Sequence, residues 1–158
     1  MGIEIERKFL VVSDAWRGQG RTTSICQAYI CAEPSRTVRV RIDGDEAFLT
    51  IKSASVGLVR GEWEYPIPVH EARELLDQVC LPNRIEKART RIPTASGVWE
   101  VDEFFGANAG LVVAEIELTS AQQSFDKPTW LGAEVSTDTR YANSNLMRHP
   151  YSSWQHHG

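Results

Sequence analysis

The chain has 158 residues, 42% hydrophobic and 24% charged, which is the makeup of one globular domain built on a single core. Its 17 Lys and Arg against 21 Asp and Glu give a formal net charge of -4, which argues against a nucleic-acid binder, because such proteins carry a basic excess. No apolar run approaches the ~20 residues needed to cross a bilayer, and charge from Glu4 onward is unlike a secretory leader, so a cytoplasmic protein without a membrane partner is expected.

The opening stretch, MGIEIERKFLV, alternates Ile3, Ile5 and Phe9 with Glu4, Glu6 and Lys8. Strand side chains point to opposite faces with period two, so this reads as a strand with one ionic face. SDAWRGQGRTT follows as a helical turn and loop, with Ser13 or Asp14 as N-cap. Strands are predicted over 24–31, 36–43 and 46–53, the last two joined by Gly44-Asp45, a hairpin signal. GLVRGEWEYPI carries the next strand, ended by Pro66 and Pro68. Residues 70–80 read as a helix started by His70, with Leu75, Leu76 and Val79 in one apolar stripe. Strands over 84–92, 97–105 and 110–119 complete the set. The tail from 120 reads as irregular, apart from a short helix around 141–147. His149, His156 and His157 fall in this polar tail and read as solvated. Cys26, Cys31 and Cys80 are odd in number and lack zinc-like spacing, so free thiols in a reducing compartment are expected.

Eight strands with short connections pair antiparallel, and eight suffice to close a barrel, which removes exposed edges. The expected fold is therefore mainly β (α+β): an eight-stranded antiparallel closed β-barrel with a few peripheral helices. Sorting each strand by parity gathers Lys8, Arg39, Arg41, Lys52, Lys87, Arg89 and Arg91 on the polar face. It also gathers Glu4, Glu6, Glu62, Glu64, Glu100, Asp102, Glu115 and Glu117 there. One reading is the wet side of an ordinary half-exposed antiparallel sheet. The other is a closed sheet with this face inward, making a hydrophilic tunnel whose apolar outside the 70–80 helix and the tail cover only in part. Arg and Lys grip phosphate oxygens by charge-assisted hydrogen bonds, and clustered carboxylates take Mg²⁺ or Mn²⁺. Together they describe a metal–polyphosphate site.

The motifs in order are EIERKFL, RTVRVRI, LTIKS, RGEWEYPI, EKARTRI, WEVDEFFG, VVAEIELTS and EVSTDTRYANSNL. This series resembles the CYTH superfamily, the triphosphate tunnel metalloenzymes, in its small bacterial form, over nearly the whole chain. The resemblance implies divalent-metal-dependent triphosphate hydrolysis, with inorganic tripolyphosphate cut to pyrophosphate and phosphate. An adenylate cyclase, a thiamine or nucleoside triphosphatase, and a non-catalytic polyphosphate-binding module are the alternatives. It implies Glu4, Glu6, Glu115 and Glu117 as metal ligands for Mg²⁺ or Mn²⁺. Lys8, Arg39, Arg41, Lys52, Lys87 and Arg89 are implied as phosphate ligands, and Tyr29, Asp102, Glu115 and Lys87 as catalytic. Arg91 is expected at the tunnel mouth, paired with an acid, and Glu62 and Glu64 are expected as structural groups that orient the basic residues. A small-molecule triphosphate is the expected partner, and a homodimer is allowed.

Overall fold

A computed structural model describes residues 2–154; His156 and His157 lie outside the described residues. Nine strands form: β1 (Gly2–Val11), β2 (Arg21–Glu33), β3 (Arg36–Asp43), β4 (Glu46–Ser53), β5 (Val59–Ile67), β6 (Ile85–Thr94), β7 (Gly97–Phe104), β8 (Val112–Glu117) and β9 (Leu131–Glu134). Two α-helices accompany them, α1 (Val69–Gln78) and α2 (Asn143–Leu146). The strand order is β5-β4-β3-β2-β6-β7-β8-β1, and β5 also pairs with β1, so eight antiparallel strands close into a barrel.

β1 is the stave that closes it. Gly2 to Ile5 pair with β5, and Glu6 to Leu10 pair with β8. β1 outruns β5, which would leave its last residues with an open edge. β9 takes that edge, pairing Glu134 with Phe9 and Leu131 with Val11, a cover of the kind that blunts exposed edges. β9 is absent from the sequence expectation because four residues in a loop-rich tail carry no alternation to detect. β5 also runs through Pro66, which pairs with Phe48, and only Pro68 ends it, capping α1. The β3–β4 hairpin turns at Gly44, whose φ of 61° suits a residue without Cβ.

The barrel is apolar outside and ionic inside. α1 lays Ala72 and Leu76 over Ala28, Val40 and Ala47 on the outer wall. Val79, expected in the helix stripe, instead forms the C-cap and is exposed, because the helix stops at Gln78. A second outer core joins Phe9, Trp99, Ile116, Trp16 and Trp130. There Trp99 meets Phe9, Phe125 and Trp130 edge to face, with centroids 5.7–5.8 Å apart, a favoured aromatic geometry. The cover is partial, since Ile3 and Val56 stay exposed. A third cluster, Tyr29, Ile85, Phe104, Val113, Tyr141, Leu146 and Met147, packs the C-terminal segment against one end of the barrel. Among the described residues no helix is long and apolar enough to cross a membrane.

Trp99 is fully buried at the centre of the aromatic group. Trp99→Ala is expected to lower unfolding free energy by about 3–5 kcal/mol, read from the urea midpoint; a loss below about 1 kcal/mol would show that the outer core does not anchor the barrel.

Candidate active site

The inward face surrounds a cavity of about 780 Å³. Going round the barrel, its charges separate by strand. β4, β3, β2 and β6 are consecutive staves and present Lys52, Arg39, Arg41, Lys87, Arg89 and Arg91. The remaining consecutive staves β7, β8, β1 and β5 present Glu100, Glu115, Glu117, Glu4, Glu6, Glu62 and Glu64. A cationic half-circumference thus faces an anionic one. Lys8 and Arg60 are the cavity cations on the anionic side, and Asp43 on β3 and Glu46 on β4 are cavity carboxylates on the cationic side.

The cations are held rigidly. Asp102 is 0% exposed; its carboxylate accepts from Lys87 Nζ at 2.8 Å and from Arg89 Nε and Nη2 at 2.8 and 2.9 Å. The register pairs Arg89 directly with Asp102, so strand geometry alone sets this bidentate fork. The two cations hold Asp102 well below the usual carboxylate range despite its burial. Burial, and then the guanidiniums of Arg89 and Arg41, bring Lys87 down to about 7, although Asp102 opposes them. Arg41 is lowered to about 9 by burial and by its neighbours Arg39 and Arg89, and it stays charged at neutral pH. Arg41 has no carboxylate partner among the described residues; its Nε donates to Gln27 at 2.7 Å. Arg39 donates to Thr50 at 3.4 Å, and its buried Nε has no partner. These guanidiniums are prepared for an anion.

The acidic side divides into held and unheld groups. Lys52 donates to both oxygens of Glu4 at 3.0 Å and lies 3.4 Å from Glu62. Burial pushes Glu4 up, but Lys52 and a hydrogen bond from Glu62 leave it lowered. Glu62 is raised to about 7 by burial and by Glu4. Lys8 stands 3.3 Å from Glu115 and donates to the Tyr141 carbonyl at 3.1 Å. Against its burial, Lys8 and then Arg89 hold Glu115 down to about 2. Glu6 and Glu117 have no hydrogen bond or ion pair among the described residues, yet they oppose each other across β1 and β8. Like charges so placed repel. Burial, then Glu115 and Glu4, raise Glu6 well above the carboxylate range; burial, then Glu4 and Glu100, raise Glu117. No three His, Cys, Asp or Glu among the described residues are already gathered as a metal group. The donor set nevertheless fits a hard divalent cation, since the Glu6 and Glu117 carboxylates are free of ion pairs among the described residues and Glu4 and Glu115 flank them.

Of the residues singled out from sequence, Tyr29, Lys8, Arg39, Arg41, Lys52, Lys87, Arg89, Glu4, Glu6, Glu115 and Glu117 all line this one cavity. Asp102 does not; it lies behind Lys87 and Arg89 with both oxygens engaged. Tyr29 opposes Arg39 in register and packs with the C-terminal cluster. Arg91 pairs with Asp43 at 2.5 Å, as expected of a residue paired with an acid. Glu64 accepts from Thr50 and lies 3.9 Å from Arg39, and Glu62 lies 3.4 Å from Lys52. Arg60 is a lining residue that the sequence does not single out. It shares the parity of Glu62 and Glu64, but the neighbouring Gly61 masks the start of the alternation. It donates to the Ser53 carbonyl and to Thr37.

A family model described as CYTH domain matches residues 2–151. The chain is 46% identical over 155 residues to an inorganic triphosphatase of Acetivibrio thermocellus, covering 98% of this chain and 99% of that one. It is 37% identical over 147 residues to an inorganic triphosphatase of Nitrosomonas europaea, covering 90% and 95%. The crystal structure of an inorganic triphosphatase superposes with a TM-score of 0.66 at 35% identity, covering 93% of this chain and 95% of that chain.

A carboxyl whose pKa is raised by folding takes up a proton on folding, so stability falls as pH rises from the ordinary value toward the folded one. The ordinary value is 4.5, Glu62 is raised to about 7, and Glu6 is raised well above the ordinary value. In chelator, melting temperature is therefore expected to fall between about pH 4.5 and 7. Glu6→Gln should flatten that fall, as checked by thermal unfolding across the range. An unchanged slope in the variant would show that Glu6 does not take up a proton on folding.

Proposed function

The chain belongs to the CYTH domain family, and on that premise we propose that it is a triphosphatase that hydrolyses inorganic tripolyphosphate to pyrophosphate and phosphate in this cavity. The observation that carries the reading is the facing of the two charged arcs. A polyphosphate needs cations for its oxygens, and carboxylates gain a use beside an anion only when a metal mediates between them.

Arg39, Arg41, Lys52, Lys87 and Arg89, joined by Lys8 from the opposite side, are proposed to grip the phosphate oxygens. Glu4, Glu6, Glu115 and Glu117 would hold Mg²⁺ or Mn²⁺. Such an ion, when bound, supplies charge neutralisation and Lewis-acid polarisation of phosphoryl oxygens. What the chain itself contributes is chiefly position and electrostatic complementarity, as in other phosphoryl transfers. Glu115, held ionised at about 2, is suited to orient an attacking water by accepting its hydrogen bond. Lys87, at about 7, is suited to give a proton to the departing phosphate near neutral pH. Tyr29, whose hydroxyl has no hydrogen-bond partner among the described residues, is the second proton donor proposed. Asp102 acts by fixing Lys87 and Arg89 rather than by touching substrate.

Tyr29 and Phe48 are the aromatic residues in the lining, which leaves a nucleobase little to stack on and favours an inorganic chain. The free cysteines suit a cytoplasmic location, and a homodimer stays part of the proposal.

Phosphate release from tripolyphosphate, ATP, GTP, thiamine triphosphate and pyrophosphate, each with Mg²⁺ and Mn²⁺, tests the reading. Tripolyphosphate is expected to be the best substrate and EDTA to stop turnover. Binding without release would make the protein a polyphosphate-binding module, cyclic AMP from ATP would make it a cyclase, and turnover in EDTA would overturn the metal role. Lys87→Ala is expected to raise KM for tripolyphosphate about 10- to 100-fold, the worth of one charge-assisted hydrogen bond, and Glu4→Gln to abolish release; unaltered kinetics in either variant would remove that residue from the site.

A further inference from the structure

Along the cavity wall a line of hydrogen bonds joins Arg41 to Lys87 through two neutral side chains, the buried Gln27 and the lining residue Asn143. Gln27, on β2, is 0% exposed and sits between β3 and β6 in the sheet. Its Oε1 accepts from Arg41 Nε at 2.7 Å, and its Nε2 donates to Asn143 Oδ1 at 2.9 Å. The same Asn143 oxygen accepts from Lys87 Nζ at 2.9 Å. Asn143 belongs to the C-terminal segment that packs on the end of the barrel, on α2.

Donor and acceptor inventory fixes every orientation in this line. An ammonium only donates, so Asn143 must turn its oxygen toward Lys87. With that oxygen in place, Gln27 must point its NH₂ at Asn143, which aims its own oxygen at Arg41. A guanidinium also only donates, so the far end is satisfied too. Reversing either amide would set donor against donor inside a dry wall, where an unmade bond carries the full desolvation penalty. Arg41 depends on this line more than any other cation here. It has no carboxylate partner among the described residues, whereas Arg89 is fixed by Asp102 and Glu100.

We propose that Gln27 and Asn143 are positioning residues that hold the Arg41 guanidinium in the plane needed to receive a phosphate group, so that the C-terminal segment helps set the grip on substrate. Resting on the triphosphate reading, this adds two neutral residues to it. Without Asn143, the Gln27 amide is free to rotate and Arg41 loses its fixed direction; Lys87 keeps Asp102. Removing Gln27 therefore acts on Arg41 and leaves Arg89 untouched, whereas removing Asn143 also takes one acceptor from Lys87.

The test is tripolyphosphate binding by calorimetry in EDTA, with KM and kcat measured separately in Mg²⁺, for Asn143→Ala and Gln27→Met alone and combined with Arg41→Ala or Arg89→Lys. Each single variant is expected to weaken binding about 3- to 10-fold and to move KM more than kcat. The Gln27→Met loss should nearly vanish in the Arg41→Ala background and persist in the Arg89→Lys background, since residues in one network are not additive and separate ones are; the Asn143→Ala loss should shrink in the Arg41→Ala background by the share that passes through Gln27. Unchanged binding in the single variants, or equal losses in both backgrounds, would overturn the inference. Should Asn143→Ala fail to fold, Gln27→Met in the same cycle discriminates between these outcomes equally well. Wild-type protein that neither binds tripolyphosphate in EDTA nor hydrolyses it in Mg²⁺ would instead sink the functional reading.

Discussion

A single carboxylate with no access to solvent organises the interior. Taking an ion out of water costs several kcal/mol, which is offset only by close partners and complete hydrogen bonding. Asp102 meets both conditions through Lys87 and Arg89, and it can do so because the β6–β7 register sets Arg89 opposite it and Lys87 one step along the same face. The rest of the site follows from that clasp. Fixing Arg89 brings its outer nitrogen to Glu100 at 3.1 Å, and fixing Lys87 presents another of its protons to Asn143. Losing one partner of such a buried set costs about 3–5 kcal/mol, so the same residue holds both stability and site geometry.

The two charged arcs are a different kind of arrangement. Salt bridges join neighbouring staves at the seams, where Lys52 on β4 meets Glu4 and Glu62, and Arg89 on β6 meets Asp102 and Glu100. Away from the seams, Lys8–Glu115 and Arg91–Asp43 are paired within the arcs, but other like charges stand close together. Glu115 and Glu4 raise Glu6, and Arg39 and Arg89 depress the affinity of Arg41 for its proton. A sheet selected for stability alone would interleave the signs. This one concentrates them, and what the two halves share is a complementary fit to an anion carrying a metal.

The barrel is legible in the sequence because strand periodicity is a local property. Alternation in RTVRVRID and EAFLTIKS, with Gly44-Asp45 between, gives β3, β4 and their hairpin with the observed limits. Inward direction is not local. It depends on eight ionic faces converging, which no single strand can indicate. Three kinds of residue escape such a reading. β9 is too short to show a period. Gln27 and Asn143 are neutral, so sorting by charge passes over them. Asp102 reads as a group that touches substrate because sequence parity tells which face a side chain shares and not how deep it lies behind its neighbours.

β1 bonds with β5, β8 and β9, partners that lie far later in the chain. The first strand to leave the ribosome is thus the last to find its full set of neighbours. Contacts of such long sequence separation slow folding and prolong exposure of unpaired edges. During synthesis the stretch from Glu6 to Leu10 lacks its partner strand until β8 emerges, which leaves the Phe9 ring without its cover for most of the chain's growth.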